Sequence, residues 1–423
     1  MRNVVIICYH MLPFTKSFGS CQRMFFLAKQ LSENNFYVTV ISKHEGYKYG
    51  NYGQEFHCES LYLTINGKVL DSKQILIEPS ISYIKLTLKK IIYKLLAKTS
   101  LLFNKAFKET NINHSIEPLI WLMRNKNNIN KIIALKNAEI VIISAPPFHL
   151  HKLIRSIKNK NEKIKVILDY RDPWNYNTST ISSKIESKNI FCADLITVFS
   201  EKYKYHLLKL YSYPKSKVIS VYNGFSCNEW SKVIIKQKRI VEKVIFTYAG
   251  SYSFSDNNFA DISIILNAID RIPDKSNFIF RFIGNTNEDK EKFWSNKLGE
   301  CVEFVGIINH RQVLEYLIRS DVQIILFKNN DMRSKFMITT KFFDYLKSGK
   351  IIWGIGNSKS NFCQWINEYN LGVTNEPKVE KILETFNEII NNFTNNSRCY
   401  SNYKLDVDLY SRERQFEKLI IHL

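Results

Sequence analysis

Residues 4–41 read VVIICYHMLPFTKSFGSCQRMFFLAKQLSENNFYVTVI. Val4–Cys8 is a β-branched apolar run and predicts a strand. Met24, Leu27, Ala28 and Leu31 then fall at i, i+3, i+4 and i+7, the single apolar stripe of a helix. Asn34-Asn35 stops that helix, and Tyr37–Ile41 predicts the next strand. Strand, helix and strand in this order are a βαβ unit, the building block of a parallel sheet covered on both faces.

The alternation continues through strands at Ile140–Ser144, Lys165–Asp169, Leu195–Phe199 and Val218–Val221. Residues 231–243 lack a period and predict a linker. The pattern then restarts with strand Val244–Ala249, helix Ala260–Ile272, strands Phe278–Ile283 and Val302–Val305, helix Gln312–Ser320, strand Val322–Phe327, helix Lys341–Lys347 and strand Ile351–Gly354. The expected architecture is α/β, with two doubly wound, Rossmann-like domains facing across a cleft. The first spans 1–230 and the second 244–404. Leu409, Phe416, Leu419 and Ile420 predict an amphipathic helix within 405–423. A chain of 423 residues is long enough for two such cores.

The formal net charge of +21 favours anionic partners. The lysines are dispersed and no nucleic-acid-binding motif occurs, which argues against specific nucleic-acid recognition. The eight cysteines form no CxxC pair and no zinc spacing, so reduced thiols are expected. No apolar run reaches the roughly 20 residues of a spanning helix, and no signal peptide is read, so a cytoplasmic location is expected. In 84–108, Ile84, Leu88, Ile91, Leu95, Leu102 and Ala106 share one helical face, and Lys90, Lys94, Lys98, Lys105 and Lys108 another. That pattern suits the surface of an anionic membrane.

In doubly wound sheets ligands bind beyond the carboxyl ends of the strands. The loop Met11–Cys21 offers Gly19 and Ser20 at a helix start, where backbone N–H groups and the dipole favour anions. Ser144-Ala145-Pro146-Pro147-Phe148-His149 and Asp169-Tyr170-Arg171-Asp172-Pro173-Trp174 end consecutive strands, which brings His149, Arg171 and Asp172 to one edge. In the second half, Gly250 and Ser251 end the first strand. Within Thr339–Lys350, Thr340 is expected to cap a helix, Lys341 to add positive charge and Gly349 to end it. Asp344, about one turn on, is placed to accept hydrogen bonds from a sugar hydroxyl.

These segments, in this order over nearly the whole chain, resemble GT-B fold glycosyltransferases of the large retaining family (glycosyltransferase family 4-like) of bacterial polysaccharide biosynthesis. Pro13–Ser20 with Arg23, Leu27, Ala28 and Leu31 resembles the glycine loop and first helix. Asp169–Trp174 resembles a loop of one subgroup. Val302-Glu303-Phe304-Val305-Gly306 is similar to the base-binding edge, and Thr340–Leu346 to the donor-site helix. The resemblance implies a sugar transfer, with retention, from a nucleotide-sugar, UDP- or GDP-linked, to a saccharide or lipid-linked acceptor in O-antigen or capsule assembly. It implies no metal, since helix termini and basic side chains would neutralise the diphosphate. The second domain would hold the nucleotide through Gly250, Ser251, Gly306, Arg333, Lys335, Thr340, Lys341 and Asp344. The first would hold the acceptor, with Asp172 as the catalytic group, and the helix within 405–423 would cross back onto that first domain. Two departures stand out. Family members place a glutamate seven residues before the ribose carboxylate, where this chain has Met337. The Arg and Lys that follow the first donor-domain glycine are absent, leaving Arg333, Lys335 or Lys341 to supply that charge. Two other readings are a nucleotide-sugar 2-epimerase, for which His149 and His151 are the nearby histidines, and a non-catalytic partner of an active transferase.

Overall fold

The computed structural model describes residues 1–12, 18–44, 58–64, 69–71, 117–174, 180–233, 243–255, 258–284, 287–328, 332–394 and 403–423. Residues 84–108, most of the loop before Gly19 and residues 234–242 of the expected linker lie outside them. The chain forms two compact units, Met1–Val221 with Phe416–Leu423, and Tyr222–Gln415.

The first unit is built on β1 (Asn3–Ile7), β2 (Tyr37–Lys43), β3 (Glu59–Leu63), β4 (Val69–Asp71), β5 (Ile140–Ala145), β6 (Lys165–Tyr170), β7 (Leu195–Val198) and β8 (Val218–Ser220). Their order in the sheet is β4-β3-β2-β1-β5-β6-β7-β8. The strands run parallel except for β4, which is antiparallel to β3. β1 after Asn3 and β5 before Ser144 are apolar runs because helices cover both faces. Helix Phe18–Glu33 sets Met24, Leu27, Ala28 and Leu31 into the core. Phe416 and Leu419 complete that core from the far end of the chain.

The second unit contains β9 (Val244–Ala249), β10 (Phe278–Ile283), β11 (Val302–Gly306), β12 (Val322–Phe327), β13 (Ile351–Gly356) and β14 (Gly372–Asn375). Their order is β11-β10-β9-β12-β13-β14, all parallel. Strand order reverses between β1 and β5 in one sheet and between β9 and β12 in the other. Each unit therefore has a topological switch point, where the loops beyond the carboxyl ends diverge and leave room for a ligand.

Three sequence expectations are corrected. The helix expected over Ala260–Ile272 is Ser263–Asp270, because Ser253 pairs with 260–262 through Ser253 N–H to Ala260 O and Ile262 N–H to Ser253 O, both 2.9 Å. Asp261 then accepts from the Ser263 N–H at 3.1 Å, a local turn that competes with the helix. Thr340 is the first residue of its helix (Thr340–Ser348), and extended Thr339 is the N-cap. Finally, Leu409 lies in a short turn, Val407–Tyr410, and is 48% exposed, so only Phe416, Leu419 and Ile420 share the terminal helix Arg412–Ile420.

Candidate functional site

At the carboxyl edge of the first sheet, the fully buried Asp169 accepts two hydrogen bonds from Arg23 Nε, at 3.0 and 3.2 Å, and one from Nη2 at 2.8 Å. Ser144 Oγ donates to it at 2.8 Å and Thr197 Oγ1 at 2.6 Å. Burial raises the carboxyl pKa, but Arg23 and the two hydroxyls outweigh this and hold it below the ordinary range. Arg23 also donates to Val221 O at 2.7 Å. This ion pair ties the first helix to β5, β6, β7 and the end of the unit, so Asp169 is structural.

Arg171, expected at the acceptor edge, donates through Nη2 to Pro146 O and through its backbone N–H to Ala145 O at 2.9 Å. It braces the loop after β5, whose Ala145-Pro146 and Pro146-Pro147 peptides are cis. Asp172 is half-buried beside it. His149, expected to line the site, has no exposed area, and neither does His151. Burial pushes their imidazoles down to about 4 and about 3, so both are neutral. His151 stacks on Trp174 at 5.8 Å and packs edge-on against Tyr170 at 4.8 Å. These two histidines support the loop from beneath and are not at its surface. Gly19 and Ser20 belong to the first turn of helix Phe18–Glu33.

At the carboxyl edge of the second sheet three glycines stand at the ends of adjacent strands. Gly250 follows β9, Gly284 follows β10 and Gly306 ends β11, with φ of +127°, +148° and +77°. Gly250 N–H donates to Ile283 O at 2.8 Å and Gly284 N–H to Gly306 O at 2.9 Å. A Cβ on Gly284 would lie 2.2 Å from Gly250 O, so the backbones pass too closely for any side chain. Gly284 escaped the sequence reading although it shows the same signal, a glycine closing a buried apolar run.

Lys341, in the first turn of helix Thr340–Ser348, reaches back over this edge. Its ammonium sits 3.6 Å from the centroid of Tyr248 and would be 3.3 Å from a Cβ on Gly250. The missing side chain at 250 is what lets it approach. Burial pushes the Lys341 amine down to about 7. Ser251 is exposed beside it, and its carbonyl accepts from Tyr248 Oη at 2.8 Å. Thr339 leaves its Oγ1 buried without a partner and does not close the helix start. The structure thus gathers Gly250, Ser251, Lys341 and the glycine-lined edge at the switch point.

Arg333 and Lys335 lie on the short helix Met332–Phe336, beyond the carboxyl end of β12. Arg333 lies over Phe259 at 5.4 Å, and Phe259 stacks on Phe327 at 4.9 Å. Lys335 is exposed, 5.8 Å over Phe336. Asp344, expected on the ribose, is buried instead. Its Oδ1 accepts from Trp230 Nε1 at 3.1 Å and its Oδ2 lies 3.2 Å from His310 Nε2. Glu229 stands 3.2 Å from the other His310 nitrogen. Burial opposes the charge on His310, yet the two carboxylates, Asp344 first, raise it to about 10. Glu229 and His310 carried no motif and were missed.

Among the described residues, no group of three His, Cys, Asp or Glu is arranged to hold a metal. No described helix is long and apolar enough to cross a membrane.

No protein-family model matches the chain, and no curated protein matches its sequence. Solved structures do resemble it. A glycosyltransferase from Rickettsia africae has a TM-score of 0.64 at 12% identity, covering 100% of this chain and 97% of that one. HepE from Anabaena, in complex with UDP and glucose, has a TM-score of 0.60 at 10% identity over 100% and 99% of the two chains. UDP-GlcNAc 2-epimerase from Neisseria meningitidis, bound to UDP-GlcNAc, has a TM-score of 0.59 at 13% identity over 100% and 99%. The likeness spans whole chains, and two parallel, doubly wound sheets in series are the GT-B fold.

Proposed function

We propose that this protein is a glycosyltransferase that uses a nucleotide-sugar, with the nucleotide diphosphate held at the carboxyl edge of the second sheet. The observation that carries the reading is Lys341, lodged between Tyr248 and Gly250 at the switch point of that sheet. Its charge and the open N–H groups of the helix start oppose the negative charge that grows on a departing diphosphate. The missing side chain at Gly250 lets the Lys341 ammonium approach the backbone at this edge. The UDP complexes among the similar structures support a uridine donor.

The reading assigns the acceptor to the first unit, with half-buried Asp172 orienting its hydroxyl or stabilising the cationic sugar. Transfer with retention, a lipid-linked saccharide acceptor and a role in surface polysaccharide assembly follow from the resemblance in sequence. A 2-epimerase is the second reading, favoured by the likeness to the Neisseria enzyme. It is weakened because His149 and His151 are buried and neutral.

Calorimetric titration with UDP, GDP, dTDP and their sugar conjugates tests the proposal. Binding of one base, slow release of free sugar and loss of both in Lys341→Met are expected. Epimerisation of UDP-GlcNAc without sugar release would move the assignment to the second reading. A folded protein that binds none of these nucleotides would overturn both.

A further inference from the structure

Lys341 and Asp344 sit three residues apart on helix Thr340–Ser348, and Asp344 is the one acidic residue of that helix. Side chains at i and i+3 are neighbours on a helix surface, so a lysine and an aspartate at this spacing ordinarily attract each other. Here the two point apart. Lys341 turns back to the Tyr248 ring and Gly250. Asp344 is drawn the other way by two donors, one for each oxygen. Trp230 Nε1 donates to Oδ1 at 3.1 Å, and His310 Nε2 lies 3.2 Å from Oδ2. Lys347, three residues further along, is paired with Asp408 at 2.9 Å.

The two donors are themselves fixed in place. Trp230 belongs to the short helix Cys227–Ser231, whose start is capped by the Ser226 side chain accepting from the Glu229 N–H. His310 opens helix His310–Arg319 behind Asn309, which forms a capping box with Gln312. Glu229, next to Trp230, stands 3.2 Å from the second ring nitrogen of His310 and 3.9 Å from Arg412 Nη1. The imidazole thus lies between two carboxylates, and the Asp344 carboxylate between an indole and an imidazole. Burial works against a charge on His310, and Asp344 followed by Glu229 outweighs it. Turning the buried Asp344 away from this setting would forfeit both of its partners.

We infer that His310 and Trp230 are positioning residues for the donor site: by engaging both oxygens of Asp344 they keep that carboxylate off Lys341 and leave the ammonium to an incoming phosphate. Loss of either donor frees an oxygen of Asp344, which then competes with phosphate for the same cation. This rests on the donor-site reading above, and deepens it by naming what guards the anion-binding lysine.

The test is a rescue experiment on the full-length protein. His310→Leu should weaken binding of inorganic pyrophosphate by about fivefold, the effect of one competing ion pair. Adding Asp344→Asn should restore the wild-type affinity, because an amide brings no charge to Lys341. A merely structural role predicts the reverse, since the second change disturbs one more buried partner. Trp230→Phe frees the other oxygen, should act in the same direction with the same rescue, and replaces His310→Leu if that variant fails to fold. A second readout needs no ligand. Acylation of Lys341 by an amine-reactive reagent at fixed pH, measured against exposed Lys359 by peptide mass spectrometry, should slow in His310→Leu, because a paired ammonium gives up its proton less readily. The rate should recover in the double variant. A Lys341 rate indifferent to His310→Leu, a double variant that reacts no faster than the single one, or pyrophosphate bound equally by all three proteins would overturn the inference even if UDP binds. The expected acylation pattern in a protein that binds neither pyrophosphate nor UDP would keep the guard on Lys341 and reject the donor-site reading.

Discussion

Asp169 keeps its charge inside the first core because Arg23, Ser144 and Thr197 together offset the loss of water. Asp169→Asn leaves the Arg23 guanidinium buried without its counter-ion and should cost about 3–5 kcal/mol in chemical denaturation. Arg23→Met paired with Asp169→Leu should cost less than the two single changes summed. Glu186 shows the opposite balance. It is buried with Tyr211 Oη 2.5 Å away, and burial, only partly offset by Tyr211, Tyr170 and Tyr203, raises it from 4.5 to about 7. Between those two values the folded state holds a proton that the unfolded chain has lost. Stability therefore falls as pH rises from 4.5 to about 7 and is level beyond. Thermal unfolding of Glu186→Gln should lack that slope; an unchanged slope would place the titration elsewhere. Neither partnership was legible in the sequence. Arg171 is close to Asp169 in the chain, with Tyr170 between them, but Arg23, far off along it, makes the ion pair. Pairing across a core depends on helix rotation, which a periodicity cannot specify to within a hydrogen bond.

At the scale of elements, the glycine edge of the second sheet can be tested by adding one methyl group at a time. Gly284→Ala puts a Cβ against the Gly250 backbone, and backbone cannot swing aside as a side chain does. This variant should lose several kcal/mol or fail to fold. Gly250→Ala meets only the flexible end of Lys341. It should cost about 1–3 kcal/mol of strain at φ +127°, and should weaken UDP binding more than it lowers the melting temperature. Equal losses in both variants would mean that the edge is structural alone. Gly349, with φ +68° and open space around it, ends helix Thr340–Ser348 as its composition suggested. Strand and helix identities were legible because parallel strands buried on both faces are nearly continuous apolar runs, as in β12, where every residue is buried and only Gln323 is polar. Helix starts were less so. Thr339 and Thr340 are the same residue type, and only backbone geometry decides which of them caps.

For the molecule as a whole, charge is unevenly shared. Residues 1–221 and 416–423 hold 34 Lys and Arg against 16 Asp and Glu, so most of the net +21 belongs to the first unit. Vesicles containing anionic lipid should retain the protein at low salt and neutral vesicles should not, with retention falling as ionic strength shortens the Debye length. Equal behaviour on both would remove a membrane role. The two-sheet architecture was legible from end to end because the βαβ rhythm restarts after Trp230. The helix within 405–423 was expected on the first unit from the family resemblance alone, since an amphipathic face shows that a helix is covered and not by what; Phe416 and Leu419 return to the first core.

That return sets an order of events during synthesis. The sheet of the first unit emerges from the ribosome early, but two of its core side chains are encoded after the whole of the second unit. The nascent first unit must therefore wait, with the hole for Phe416 and Leu419 unfilled, while about two hundred further residues are made, at roughly 5–20 residues per second. Folding of this protein is closed by a late strap, drawn from the last residues of the chain.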